Sequence, residues 1–211
     1  MKIDDLPYKM GWADKLLIKK LHKYIADFDK YDNRKTAKIF AKIMAKNVGY
    51  ITDEPSQTHM IACAYIMATY EQLRLNGDDQ QQALDKLTWA FKQPGRLMVT
   101  WGMRLWLWLS RDIRGGIEHE NIRKEKLYGQ QFEFSAEIGE SHYISVVSVC
   151  GYHEFFKRNS YPELTAIFCA WDVLWTDEID KQNCGVRFER PCTLGMGGDC
   201  CRFEFYFDEI E

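Results

Sequence analysis

Apolar residues recur at helical spacing through the first half of the chain and at every second position through much of the last third. From Ala13 to Phe28, Leu16, Leu17, Leu21, Tyr24 and Ile25 share one face, while Lys15, Lys19, Lys20 and Lys23 take the other. That is an amphipathic surface helix with a solvated lysine side. Its apolar stripe serves either a homo-oligomer contact or the rest of the core. Asp32 or Asn33 caps a second helix through Asn47, with Ala37, Ile39, Phe40, Ile43 and Met44 as its stripe and Gly49 as its stop. A third helix is predicted from Pro55 to Asn76-Gly77, and its centre, Met60 to Tyr70, is apolar on nearly all sides and so deeply buried. Asp78 or Asp79 starts a fourth, which Gln93-Pro94-Gly95 ends. A fifth is predicted from Arg96 to Ile113, stopped by Gly115-Gly116, with Trp101, Leu105, Trp108 and Leu109 as an aromatic core face. Glu118 to Tyr128 reads as a short charged link.

After Gly129 the period changes. Phe132, Phe134, Ala136 and Ile138 alternate with polar residues, and a Gly139-Glu140 turn leads into a Val- and Ile-rich run from His142 to Cys150, which predicts a β-hairpin. Tyr152–Arg158 and Pro162–Asp177 follow as helices, the second with Leu164, Phe168, Trp171 and Trp175 at helical spacing. Two strands end the pattern, one through Val186 and Phe188 and one through Phe203, Phe205 and Phe207. Gly195-Met196-Gly197-Gly198 between them reads as a turn rather than a phosphate loop, because a strand and not a helix follows it. The expected fold is α+β: a helical region, residues 1–128, packed with an antiparallel sheet carrying two helices, residues 129–211.

Composition narrows the function. The chain has 211 residues with a formal net charge of -3, so no global field attracts a polyanion and no nucleic-acid partner is expected. Met1–Met10 contains Asp4, Asp5 and Pro7 and lacks a signal-like apolar run, and Leu97–Leu109 is too short to span a bilayer. A cytoplasmic protein without a membrane partner is the expectation. The seven tryptophans call for a large core or an aromatic-lined pocket.

Six of the seven cysteines follow residue 149: Cys150, Cys169, Cys184, Cys192, Cys200 and Cys201. Buried core thiols, a zinc site and a nucleophile all compete as explanations. Zinc is disfavoured because no paired Cys-x-x-Cys ligands occur, and Cys200 and Cys201, adjacent on a strand, point to opposite faces. A nucleophile needs a base or a positive neighbourhood. Cys169 and Asp172, three apart on a predicted helix, share a face, and His153 just beyond Cys150 is the natural bridge between acid and thiol.

The blocks Cys150-Gly151-Tyr152, Tyr161-Pro162-Glu163-Leu164, Phe168-Cys169-Ala170-Trp171-Asp172, Phe188-Glu189-Arg190 and Gly197-Gly198-Asp199-Cys200-Cys201-Arg202-Phe203-Glu204-Phe205 occur in this order. Together they resemble the L-2-amino-thiazoline-4-carboxylic acid hydrolase family over roughly Cys150 to Phe205. Arg202 departs from the pattern, where an acidic residue is more usual. The resemblance implies hydrolytic opening of a cyclic isothiourea to a carbamoyl-cysteine. In that reaction Cys169 attacks the ring carbon, Asp172 holds the amidinium, His153 moves protons, and Arg187 or Arg190 clamps the substrate carboxylate. Cys150 is the second candidate nucleophile, and Cys201 falls on the cysteine of the terminal motif. The partner is a small-molecule substrate, and no cofactor or metal enters this reading. The terminal motif is also distantly similar to vinyl-4-reductase domains, which implies a small-ligand or metal-binding sensor without turnover.

Overall fold

The computed structural model describes residues 10–182 and 184–207, so the leading segment weighed above for a signal sequence lies outside the described residues apart from Met10. The expected α+β arrangement is present. Helices α1 (Trp12–Ile25), α2 (Asn33–Asn47), α3 (Glu54–Leu75), α4 (Gln80–Lys92), α5 (Arg96–Leu109) and α6 (Ile113–Tyr128) precede the hairpin β1 (Glu133–Ile138) and β2 (His142–Val149). Helices α7 (Gly151–Arg158) and α8 (Thr165–Gln182) then lead to β3 (Val186–Glu189) and β4 (Cys201–Phe207). The sheet order is β1-β2-β4-β3, antiparallel throughout.

Short polar side chains set the helix starts. Asp32 accepts from the Arg34 and Lys35 amides, Asp53 and Ser56 form a reciprocal capping box, and Asp79 does the same with Gln82. Helix α3 is the central post: Ile61, Ala64, Ile66, Ala68 and Leu73 are wholly buried, as its all-round apolar centre requires. Most of the α1 stripe faces the molecule's interior: Leu21 and Ile25, with Ile18, join the same core as α3, α7 and the start of α8, Leu17 and Tyr24 pack against it, and Leu16 is exposed.

The segment from 96 to 128 differs from the sequence reading. Helix α5 stops at Leu109, and Gly115-Gly116 lies inside the first turns of a new 16-residue helix, α6, rather than ending the old one. The cause is local: Asp112 caps α6 by accepting from the Gly115 amide at 2.8 Å, and a Cβ on Gly116 would come within 2.5 Å of the Trp106 ring. The glycines are there for close approach, not termination. The expected core face of α5 is also turned outward. Trp101, Leu105, Trp108 and Leu109 are 55–78% exposed, while the opposite face, Met103, Trp106 and Leu107, packs on the cluster around Ile117, Ile179 and Phe205. With apolar residues on both faces, periodicity could not tell which one the core would take.

Candidate active site

Sheet alternation puts Phe134, Ser145, Val147, Cys201 and Phe203 on the face toward the helices, because Val147 pairs with Phe134 and Cys201, and Ser145 with Phe203. Helix α8 crosses that face and presents Thr165, Phe168, Cys169, Asp172 and Trp175 at helical spacing. Lys124 and Tyr128 come in from α6. These elements enclose a cavity of about 330 Å³.

Five of the seven residues proposed from sequence line it together: Cys150, Cys169, Asp172, Arg190 and Cys201. Arg190 binds two of the others. Its guanidinium is 3.1 Å from the Asp172 carboxylate, donates to the Cys169 carbonyl at 3.0 Å, and stacks 4.7 Å from the Phe203 ring centre. Its Nε is buried without a partner. Arg187 is elsewhere. On β3 it pairs with Tyr206, stacks on that ring at 4.3 Å and meets Glu189, on the sheet face that also carries Arg202, Glu204 and Glu137. Arg187 projects from the opposite face of β3, and Arg190, just past the strand's end, is the one of the two that lines the cavity. His153 is one side chain removed: its Nδ1 is 3.3 Å from Thr165 Oγ1, and Thr165 lines the wall. Arg202, the departure from the family pattern, holds Glu137 and Glu204 away from the cavity.

Burial raises the three cavity thiols. Cys150 is pushed up to about 12 and Cys201 to about 11. Cys169 is also raised by burial, but there the Arg190 cation is the foremost opposing influence. Burial lifts the Asp172 carboxyl as well, against the pull of Arg190, the Trp175 indole and Lys124.

Sequence reading missed Lys124, Tyr128 and His59. Burial beside the apolar wall lowers the Lys124 ammonium, which sits 4.4 Å from the Trp175 ring centre and feels Asp172. Its segment read as a surface link, so nothing marked it. His59 stands behind the cavity wall, stacked on Tyr128 with Nδ1 2.9 Å from the Tyr152 hydroxyl, and burial lowers it to about 4. Among the described residues no cluster of three His, Cys, Asp or Glu side chains is placed to hold a metal ion, and no helix is long and apolar enough to cross a membrane.

The family model for L-2-amino-thiazoline-4-carboxylic acid hydrolase matches residues 107–205, which include α6, the sheet as far as Phe205 and every cavity residue discussed above. Over that span, a little under half of its length, the chain is similar to this hydrolase family. No curated protein matches the chain. A structural likeness covering 94% of this chain and 96% of the other links it to the SO2144 H-NOX domain from Shewanella oneidensis, solved by NMR in the Fe(II)CO ligation state. At a TM-score of 0.26 and 10% identity that likeness carries no argument. The hydrolase family's matched segment supplies the cavity's sheet wall, α6 and α8, while α1 and α4 contribute Leu17, Leu21 and Phe91 from outside it.

Proposed function

We propose that the protein hydrolyses a small zwitterionic cyclic isothiourea, of the L-2-amino-thiazoline-4-carboxylate type, through Cys169. The observation that carries this is the Cys169–Arg190–Asp172 arrangement: one guanidinium holds a thiol-bearing turn and a carboxylate at the wall of one cavity. A cavity of about 330 Å³ with several aromatic side chains in its lining suits a small ring.

The chemistry follows from the charges. The amidinium of the substrate binds Asp172, and its carboxylate takes Lys124 and the Arg190 guanidinium at the cavity wall. The Cys169 sulfur adds to the ring carbon that lies between sulfur and two nitrogens. The ring C–S bond breaks and its electron pair leaves on the substrate sulfur, which takes the proton released by Cys169. Water then adds to the same carbon and the bond to Cys169 breaks, returning the thiol and leaving a carbamoyl group on the product nitrogen. Net consumption is one water. Arg190 favours the thiolate of Cys169 over those of Cys150 and Cys201, which makes Cys169 the nucleophile of choice. His153 acts through Thr165 as the proton carrier.

A binding module without turnover is the second reading, favoured by one observation: all three cavity thiols are raised and so protonated near neutrality. Incubation with L-2-amino-thiazoline-4-carboxylate, read by mass spectrometry, separates the two. Turnover that disappears in Cys169→Ser and survives in Cys150→Ser supports the proposal. Loss only in Cys150→Ser keeps the reaction and moves the nucleophile, whereas a thermal shift on ligand addition without product favours the binding module.

A further inference from the structure

Two thiols outside the cavity face each other where a loop that packs behind Cys169 begins and ends. The Sγ atoms of Cys192 and Cys200 are 3.9 Å apart, and both residues are partly exposed. The backbone brings them together independently of the sulfurs. The Cys192 carbonyl accepts from the Arg202 amide at 3.2 Å, and Gly198 lets the returning chain pass so near that an added Cβ would be 3.2 Å from the Cys192 Cβ.

Between the thiols the loop reaches the candidate nucleophile. Thr193 is buried and its carbonyl accepts from the Met196 and Gly198 amides, both at 3.0 Å, which folds the loop on itself. The Leu194 amide donates to Cys201 Sγ at 3.3 Å. Gly195 is seated so that an added Cβ would lie 3.1 Å from both Cys169 Sγ and Thr165 Cγ2. Both ends of this loop thus meet at one thiol pair.

We propose that Cys192 and Cys200 form an intramolecular disulfide that pins the 193–199 loop against Cys169. The oxidant is a low-molecular-weight disulfide such as glutathione disulfide. One protein thiolate attacks it, forming a mixed disulfide and releasing one glutathione thiolate; the second protein thiolate displaces the other. Two protein sulfurs lose two electrons in total, two glutathione sulfurs gain them, and the two thiol protons pass to the released glutathiones. The inference stands on loop geometry and is independent of the reaction assigned to the cavity.

The test uses the full chain, fully reduced and then incubated with glutathione disulfide, followed by alkylation, trypsin and tandem mass spectrometry. The peptide Phe188–Arg202 is expected to lose two hydrogens, with fragments placing the bond between Cys192 and Cys200 and alkylation on Cys201. Cys192→Ser and Cys200→Ser should each abolish this product, and Cys201→Ser should keep it. Closing this loop should raise Tm by about 5 °C or more, and alkylation of Cys169 should slow several-fold because the loop packed against its sulfur opens less often. A bond to Cys201, cross-linked chains, a stable mixed disulfide without ring closure, or oxidised and reduced protein with the same Tm and the same Cys169 alkylation rate would each overturn the proposal. Because none of these readouts requires substrate, a failure of the hydrolysis assay leaves them unaffected.

Discussion

Arg190 lies 3.1 Å from the Asp172 carboxylate and, through the same guanidinium, 3.0 Å from the Cys169 carbonyl, so one strand-end cation governs both the acid and the thiol of α8. Without it, two groups that burial already raises would rise further. Arg190→Met is therefore expected to move the pH dependence of Cys169 alkylation to higher pH and to lower kcat/KM on the order of 10²-fold, the scale of a lost positioning clamp. Arg190→Lys restores the charge but not the fork, and should recover the alkylation profile better than the turnover. An alkylation profile unchanged in Arg190→Met would refute the coupling.

Acid should destabilise the protein partly through His59. Its folded value is lowered to about 4 by burial against Tyr128, Phe132 and Tyr152, against 6.5 when free. The unfolded chain therefore binds a proton that the folded one refuses between those two values. The contribution is complete above pH 6.5 and is lost as the pH falls toward 4. Going from pH 7 to pH 5 should cost about 2 kcal/mol from this group alone. Urea unfolding at the two pH values should show a smaller difference for His59→Gln than for the parent protein, and equal differences would assign the acid sensitivity to other groups.

The parts of the fold that were legible in the sequence are those where one pattern had one solution. Capping aspartates marked the starts of α2 and α4, strand alternation marked β4, and the three-residue spacing of Cys169 and Asp172 placed both on one cavity wall. The divergence of Cys200 from Cys201 also follows from alternation, one toward Cys192 and one into the cavity. Parity alone would likewise have separated Arg187 from Arg190, three positions apart along β3 and its exit. Other features depend on tertiary approach. Gly115-Gly116 has the composition of a stop and is a helix start because Trp106 needs the space. Lys124 looks like any surface lysine until α6 is packed over Trp175.

That role for Gly116 is testable. A Cβ there meets the Trp106 ring at 2.5 Å, and Trp106 belongs to the cluster that holds α5, α6 and α8 together. Gly116→Ala gains intrinsic helix propensity of up to about 1 kcal/mol, yet the collision should dominate and leave the protein less stable by about 1–3 kcal/mol. Asp112→Ala should cost about 1 kcal/mol by removing the cap on the Gly115 amide. Denaturant melts of the two variants decide the matter, and a stabilised Gly116→Ala would mean that the ring moves aside freely.

Helix α5 offers a sharper contrast between neighbours. Leu107 is 5% exposed within the cluster of Ile117, Ile179 and Phe205, whereas Trp108, the next residue, is 78% exposed. Composition alone ranks the tryptophan as the more valuable core residue, but orientation reverses the order. Leu107→Ala should destabilise by about 2–5 kcal/mol, the cost of a buried cavity. Trp108→Ala should stay within about 0.5 kcal/mol of the parent, because its ring leaves water no more in the folded chain than in the unfolded one. Paired urea melts at low protein concentration read the difference directly. A large loss in Trp108→Ala would mean that the outward face of α5 is covered in solution, and repeating the melt across a range of protein concentrations would then reveal whether a second copy covers it.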